Sequence, residues 1–234
     1  MPSGRRAAAG GGANADPVLG NRGDVVTLSA RRLFNRLLER RGERLAQRLA
    51  PYLPRGGRLL DIGSGTGHNA EALVRVVGGS CLQADVVDFH VGGEEPILFD
   101  GRVLPLADGA VDVCLLIHVL SYTDDPSAIL REAARVANRR VIVVQTTYRG
   151  AFGRALLRGR GWIQGPAAFR LCRAIGLVPA VKNSMESRRV FTRSEVRAIA
   201  EEAGLRVDRL ESETDAAMWI SRDLLILSTG SRFQ

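Results

Sequence analysis

Apolar positions along the chain change their period several times, and each change marks a new element. Up to about Asp24, Gly, Ala and Arg follow one another without an apolar face, so residues 1–24 are expected to form a disordered tail. From Leu28 onward, Leu33, Phe34, Leu37, Leu38, Leu45 and Leu49 recur at helical spacing among arginines, and Pro51 and Pro54 close the pattern. This predicts an amphipathic N-terminal helix within residues 25–56. Its apolar stripe suits packing against the domain that follows, while its arginines also suit a membrane surface.

After Gly56-Gly57, short apolar runs alternate with helical stretches. Strands are expected at 58–62, 80–86, 96–99, 111–117 and 140–145, and helices at 69–77 and 126–137, with Pro126 suited to a first turn. Such alternation is the signature of an α/β fold, a parallel sheet with helices on both faces. It lapses over 149–190, where helical fragments mix with aromatics, Pro166 and Pro179, and this stretch reads as an inserted helical cap or lid. It resumes with a helix from Thr192, a capping residue, to Ala203, then Gly204 and strands near 205–210 and 224–228. Residues 25–234 thus read as one domain.

Composition narrows the class. A chain of 234 residues, 45% of them apolar, can bury one substantial core. No run of about 18 apolar residues occurs, so no spanning helix is expected. Cys81, Cys114 and Cys172 are widely spaced and without a His cluster, which argues against a disulfide framework and against a metal site, and fits a reducing cytoplasm. The net charge of +8 is unevenly spread. Residues 57–145 carry twelve acids against seven arginines, whereas residues 146–194 carry ten basic side chains and one acid. The basic charge therefore sits in the insertion and in the leading helix, outside the acidic stretch that carries the motifs below.

The candidate chemistry starts at Leu59-Leu60-Asp61-Ile62-Gly63-Ser64-Gly65-Thr66-Gly67, which places three alternating glycines at the carboxyl end of the first strand. Open α/β sheets bind ligands at that edge, and glycine lets the backbone turn sharply and approach a ligand closely. A dinucleotide fingerprint would put the third glycine one residue later. A little over twenty residues after Asp61, an acid follows the second strand; either Asp85 or Asp88 can accept hydrogen bonds from ribose hydroxyls, and Asp85 directly follows the apolar positions.

These features, with Leu98-Phe99-Asp100-Gly101-Arg102-Val103-Leu104-Pro105-Leu106 and the stretch from Ala107 to Pro126, resemble class I S-adenosylmethionine-dependent methyltransferases. The likeness is to the group that includes the ubiquinone and menaquinone C-methyltransferases, and it covers residues 57–145 continuously. It implies a Rossmann-like, mostly parallel sheet with an antiparallel last strand, and S-adenosyl-L-methionine as cofactor. Asp61, Gly63, Ser64, Gly65, Gly67, His68 and Asn69 would surround its amino-acid end, Asp85 and Val86 its ribose, Asp100 and Gly101 its adenine, and Ile117 and His118 would close the site at the end of the fourth strand. Asp100 has a plainer reading as a turn carboxylate. The aromatic signature of amino-methyltransferases after the fourth strand is absent, since Ser121-Tyr122-Thr123 stands there.

Methyl transfer needs mainly an in-line arrangement of acceptor, methyl and sulfur, with a base only where the acceptor must lose a proton. His118 is the candidate base, or else a cofactor-lining histidine. Tyr122 is a candidate for the acceptor pocket. The resulting expectation is an enzyme that methylates a small molecule on oxygen, nitrogen or carbon. Phe152, Trp162 and Phe169 would wall the pocket, and Arg158, Arg160, Arg170 or Arg173 would pair an acidic group on the substrate. Two alternatives remain open: methylation of RNA through the basic insertion, and a non-catalytic scaffold that keeps the fold.

Overall fold

The computed structural model describes residues 22–91, 94–162, 189–214 and 218–229. The expected tail up to residue 21, and residues 163–188 of the expected lid with Phe169, Arg170 and Arg173, lie outside the described residues.

The leading helix α1, Arg22–Leu49, begins inside the stretch expected as tail. Extending an existing helix fixes one residue per hydrogen bond gained, so Arg22 to Asp24 join it although they carry no apolar signal of their own. A 3-10 turn at Ala50–Tyr52, with Pro51 in its first turn, stops the helix. Among the described residues, seven strands and four further helices follow: β1 Arg58–Ile62, α2 His68–Val77, β2 Ser80–Asp85, β3 Ile97–Leu98, β4 Val111–Ile117, α3 Pro126–Val136, β5 Ala137–Tyr148, α4 Gly150–Trp162, α5 Arg193–Glu202, β6 Leu205–Thr214 and β7 Ile220–Thr229.

The strands form one sheet in the order β3-β2-β1-β4-β5-β7-β6. Pairing from β3 through β5 is parallel, and β7 runs antiparallel to both neighbours. This is the expected sheet, with its last strand inverted. Alternate residues of each strand face opposite sides. Leu59, Val113, Leu115, Ile142 and Val144 meet α2 and the carboxyl half of α1; Leu60, Ile62, Cys114, Leu116, Val141 and Val143 meet α3 and α5. Truncating a fully buried residue such as Leu115 to Ala would cost about 3 kcal/mol.

Four strands differ in length from expectation. β5 is twelve residues long rather than the six expected: at its end β7 pairs with it without a break from Val141↔Leu227 to Tyr148↔Ile220, and at its start Ala137 pairs with Val111 of β4. β6 and β7 lengthen for the same reason, whereas the edge strand β3 shrinks to two residues. Gly42 lets α1 dock on α2: a Cβ there would lie 2.9 Å from the His68 carbonyl. Leu45, Ala46 and Leu49 thereby pack into the domain, while Leu33 and Leu37 stay exposed. At its start, α5 carries a capping box, with Thr192 and Glu195 each accepting from the other's backbone N–H.

Candidate functional site

The carboxyl ends of β1, β2 and β4 converge on the glycine loop. Gly63 and Ser64 donate their N–H groups to the Ala84 carbonyl at 2.7 and 3.2 Å, which ties the loop to β2. Gly63, Gly65 and Gly67 have φ of +73°, +56° and +84°, a region that side chains other than glycine's rarely enter. Packing adds a second requirement at two of them. A Cβ on Gly63 would meet Val119 at 2.6 Å, and one on Gly67 would meet the His90 ring at 2.6 Å, whereas a Cβ on Gly65 would enter open space. The loop is thus packed from below and open at its middle glycine.

Beneath it lies Asp61, fully buried on β1, and neither carboxylate oxygen has a hydrogen-bond partner among the described residues. Burial, reinforced by the negative charge of Asp85, pushes its carboxyl up to about 8. Ser64 Oγ is also buried without a partner among the described residues. Gly67 precedes α2 with no side-chain cap, so the N–H groups of that helix's first turn carry the positive end of its dipole. His68 Nδ1 lies 2.9 Å from Thr66 Oγ1, and Asn69 is half-buried on the same turn.

Of the two competing acids, the structure brings Asp85 to the loop. Asp85 is buried at the end of β2, and its carboxylate accepts from Gly65 N–H at 2.9 Å and from Val86 N–H at 2.7 Å. Asp88 is exposed and accepts from His90 N–H. Asp100 accepts from the N–H groups of Arg102 and Val103, both at 2.8 Å, which hold its carboxyl below the usual range. That is the geometry of a turn carboxylate. At the same turn Gly101 lies against Val86, whose side chain is exposed, leaving an apolar shelf beside the loop.

On the other side of the loop, Ile117 ends β4 within the core. His118 follows with φ +62°, held by its N–H donating to the Val144 carbonyl at 2.7 Å, and its Nδ1 lies 3.3 Å from Thr146 Oγ1. Burial, together with the nearby Arg41 and Arg222 guanidinium groups, pushes the imidazole down to about 3. It is neutral at physiological pH and a weak base. Tyr122 stands half-exposed beyond it, its phenol raised by burial.

Sequence reasoning missed several groups here. Gln145, buried on β5, donates through Nε2 to Ser121 Oγ at 2.9 Å, and its Oε1 has no partner among the described residues. His90 Nε2 and Gln83 Oε1 lie 2.6 Å apart under Gly67. The signal that could have found them is a Gln set inside each of two apolar strands. In the insertion, Phe152 is 62% exposed, and its ring meets Trp219 edge-on at 5.7 Å between centroids. The helical pattern around Phe152, read alone, does not reveal that the β6–β7 hairpin is its partner.

Comparison with known proteins gives the family and the fold. A family model described as a methyltransferase domain matches residues 31–210. An uncharacterized methyltransferase of Mycobacterium sp. (strain JLS) is 34% identical over a stretch covering 43% of this chain and 43% of that protein. The match thus spans less than half the length of the curated relatives. Among solved structures, the complex between the Haloferax volcanii Trm112 methyltransferase activator and a methyltransferase contains a chain with a TM-score of 0.58, at 15% identity, covering 90% of this chain and 99% of that one. Geranyl diphosphate methyltransferase in complex with SAM has a TM-score of 0.54 at 13% identity, covering 92% and 93%. At these identities the likeness is one of fold.

Proposed function

Because the chain belongs to the methyltransferase-domain family, we propose that it holds S-adenosylmethionine at the Gly63–Gly67 loop and transfers the methyl group to a small-molecule acceptor. The observation that carries the reading is Asp61, a fully buried carboxylate without a partner among the described residues, directly behind a loop that opens at Gly65. An uncompensated buried acid is costly to the ligand-free protein, and a cationic ligand group removes that cost. The α-ammonium of the cofactor is such a group, and the N-terminus of α2 suits its carboxylate.

Around the rest of the cofactor, Asp85 would accept from ribose hydroxyls, and the shelf of Val86 and Gly101 would take the adenine ring, with Asp100 at its edge. Ile117 and His118 would close the site at the end of β4. When bound, the cofactor supplies an electrophilic methyl on a sulfonium. The chain's part is then to place the acceptor. Gln145 Oε1 offers an unused hydrogen-bond acceptor to a substrate O–H or N–H, and Ser121 fixes the amide's orientation. His118, neutral and weakly basic, serves to line and shape the cleft, so acceleration comes from positioning rather than from a strong base. Tyr122 stands at the acceptor side.

This enclosed polar group favours a small acceptor over a polynucleotide. No helix among the described residues is long and apolar enough to cross a membrane. The free, buried thiols of Cys81 and Cys114 support a cytoplasmic location. Calorimetry with S-adenosylhomocysteine tests the site. Binding is expected for the wild type and is expected to vanish in Gly65→Trp, whose side chain would fill the open space; the positive φ lowers the melting temperature by the strain of one residue, with cooperative unfolding retained. Equal affinity in both proteins would reject the loop as the cofactor site.

A further inference from the structure

Beyond the cleft, the chain carries an exposed apolar patch bordered by arginines. α4 leaves β5 at the carboxyl edge of the sheet, the edge that bears the glycine loop. One side of α4 is fixed to the domain: Gly153 is buried against the Trp219 carbonyl, which also accepts from Arg149 N–H at 2.9 Å. Beside that seam α4 carries Phe152 and Leu156 one helical turn apart, continued by Met218 and Trp219 just before β7. Phe152 is 62% exposed and Met218 72%, and the edge-on contact of Phe152 with Trp219 joins helix and hairpin into one surface. Arg154 and Arg158, also one turn apart, flank that ridge across Ala151 and Ala155, where they line an open hollow of about 550 Å³ with Tyr148.

Charge identifies the partner. From residue 146 to 162 the sequence contains Arg149, Arg154, Arg158 and Arg160 and no carboxylate. Arg149, Arg154 and Arg158 form no ion pair among the described residues, whereas most described arginines of the sheet domain do, as in Arg135 with Asp108 and Glu132. A surface of this kind combines large apolar side chains with uncompensated positive charge. We propose that α4 and the β6–β7 hairpin dock on an anionic lipid bilayer, with Phe152, Leu156, Met218 and Trp219 entering the headgroup region and the arginines meeting lipid phosphates. RNA would also satisfy the arginines, but the aliphatic side chains of Leu156 and Met218 gain nothing from a phosphate backbone. α4 leaves the sheet at the edge that bears the glycine loop, so an acceptor carried in the membrane surface would meet the domain on that edge.

Vesicle binding tests this directly. Vesicles of phosphatidylcholine alone and of phosphatidylcholine mixed with phosphatidylglycerol are compared by co-sedimentation, and Trp162→Phe leaves Trp219 as the one tryptophan, excited selectively over the tyrosines. The expected result is binding to the mixed vesicles only, with a blue shift of Trp219 emission. Phe152→Asp and Met218→Asp should each weaken partitioning by about tenfold, and Arg154→Gln combined with Arg158→Gln by roughly thirtyfold, all with unchanged melting temperatures. Absence of binding to mixed vesicles overturns the proposal. So does unchanged binding by the Asp variants, which would mean adsorption by charge alone, or displacement from vesicles by single-stranded RNA that binds the Asp variants as tightly as the wild type.

Discussion

Asp61 and Asp223 are the same residue type, both fully buried in one sheet, and their surroundings differ in every other respect. Asp223 on β7 accepts from Thr147 Oγ1 at 2.8 Å, Ser212 Oγ at 2.6 Å and Arg193 Nε at 3.0 Å. It ties β5, β6 and the start of α5 together. Asp61 on β1 accepts from nothing among the described residues. A buried acid with its lone pairs used is part of the architecture, and one left unpaired beside an open glycine marks a place where something else completes the structure. The contrast sets Asp223, which cross-links β5, β6 and α5, against Asp61 on β1, which the described residues leave unpaired behind the glycine loop.

The largest effect should come from the architectural acid. Asp223→Ala is expected to destabilise the ligand-free protein by about 3 kcal/mol, since it strands Thr147 and Ser212 and frees Arg193. Urea unfolding measures it, and a loss below about 1 kcal/mol would erase the difference between the two residues. Asp61→Asn should behave oppositely. Unfolding free energy is expected to hold or rise, because a neutral amide replaces an uncompensated acid, while affinity for S-adenosylhomocysteine falls by about 2 kcal/mol, roughly thirtyfold.

A proton measurement sharpens the same point. With its carboxyl raised to about 8, Asp61 is mostly protonated in the ligand-free protein at pH 7, and a cationic ligand group favours the ionised form. Binding should therefore release close to one proton, read from the dependence of calorimetric enthalpy on buffer ionisation heat. Asp61→Asn should release none. The sign carries over to folding: an acid raised from 3.8 to about 8 stabilises the ligand-free fold fully below 3.8, and that contribution is lost as pH rises toward 8.

The smallest effect is expected at His118. Its imidazole is lowered from 6.5 to about 3, so the neutral form prevails in the fold while the unfolded chain takes up a proton below 6.5. The contribution is present above 6.5 and is lost as pH falls toward 3, and His118→Asn should flatten that slope in thermal melts between those limits. Turnover at saturating acceptor should change by no more than a few-fold. A hundredfold fall would instead make His118 a general base.

Much of the element order is legible in the amino-acid sequence. β1 and β4 fall where the apolar runs put them, α3 starts at Pro126, and Thr192 caps α5, because apolar period and caps are properties of a few neighbouring residues. The glycine loop and Asp85 are legible for the same reason. The reach of β5 is not, because its extension to Tyr148 depends on β7, more than seventy residues later in the chain. Gln145 and His90 are equally hidden, because a lone polar residue beside or within an apolar strand carries no local mark of its partner.

Local sequence suffices for which elements form, for the alternating glycines that bend the chain after β1, and for the acidic and basic stretches. Each of these rests on backbone sterics or on the period of side chains along one element. Tertiary packing adds that Asp61 is sealed away without a partner among the described residues while Asp223 is paired, that Asp100 closes a turn, that His118 is held neutral, and that Phe152 joins Trp219 at the surface. Desolvation and hydrogen bonding depend on which groups meet across the fold, and residues far apart in the chain meet only when the sheet brings them together.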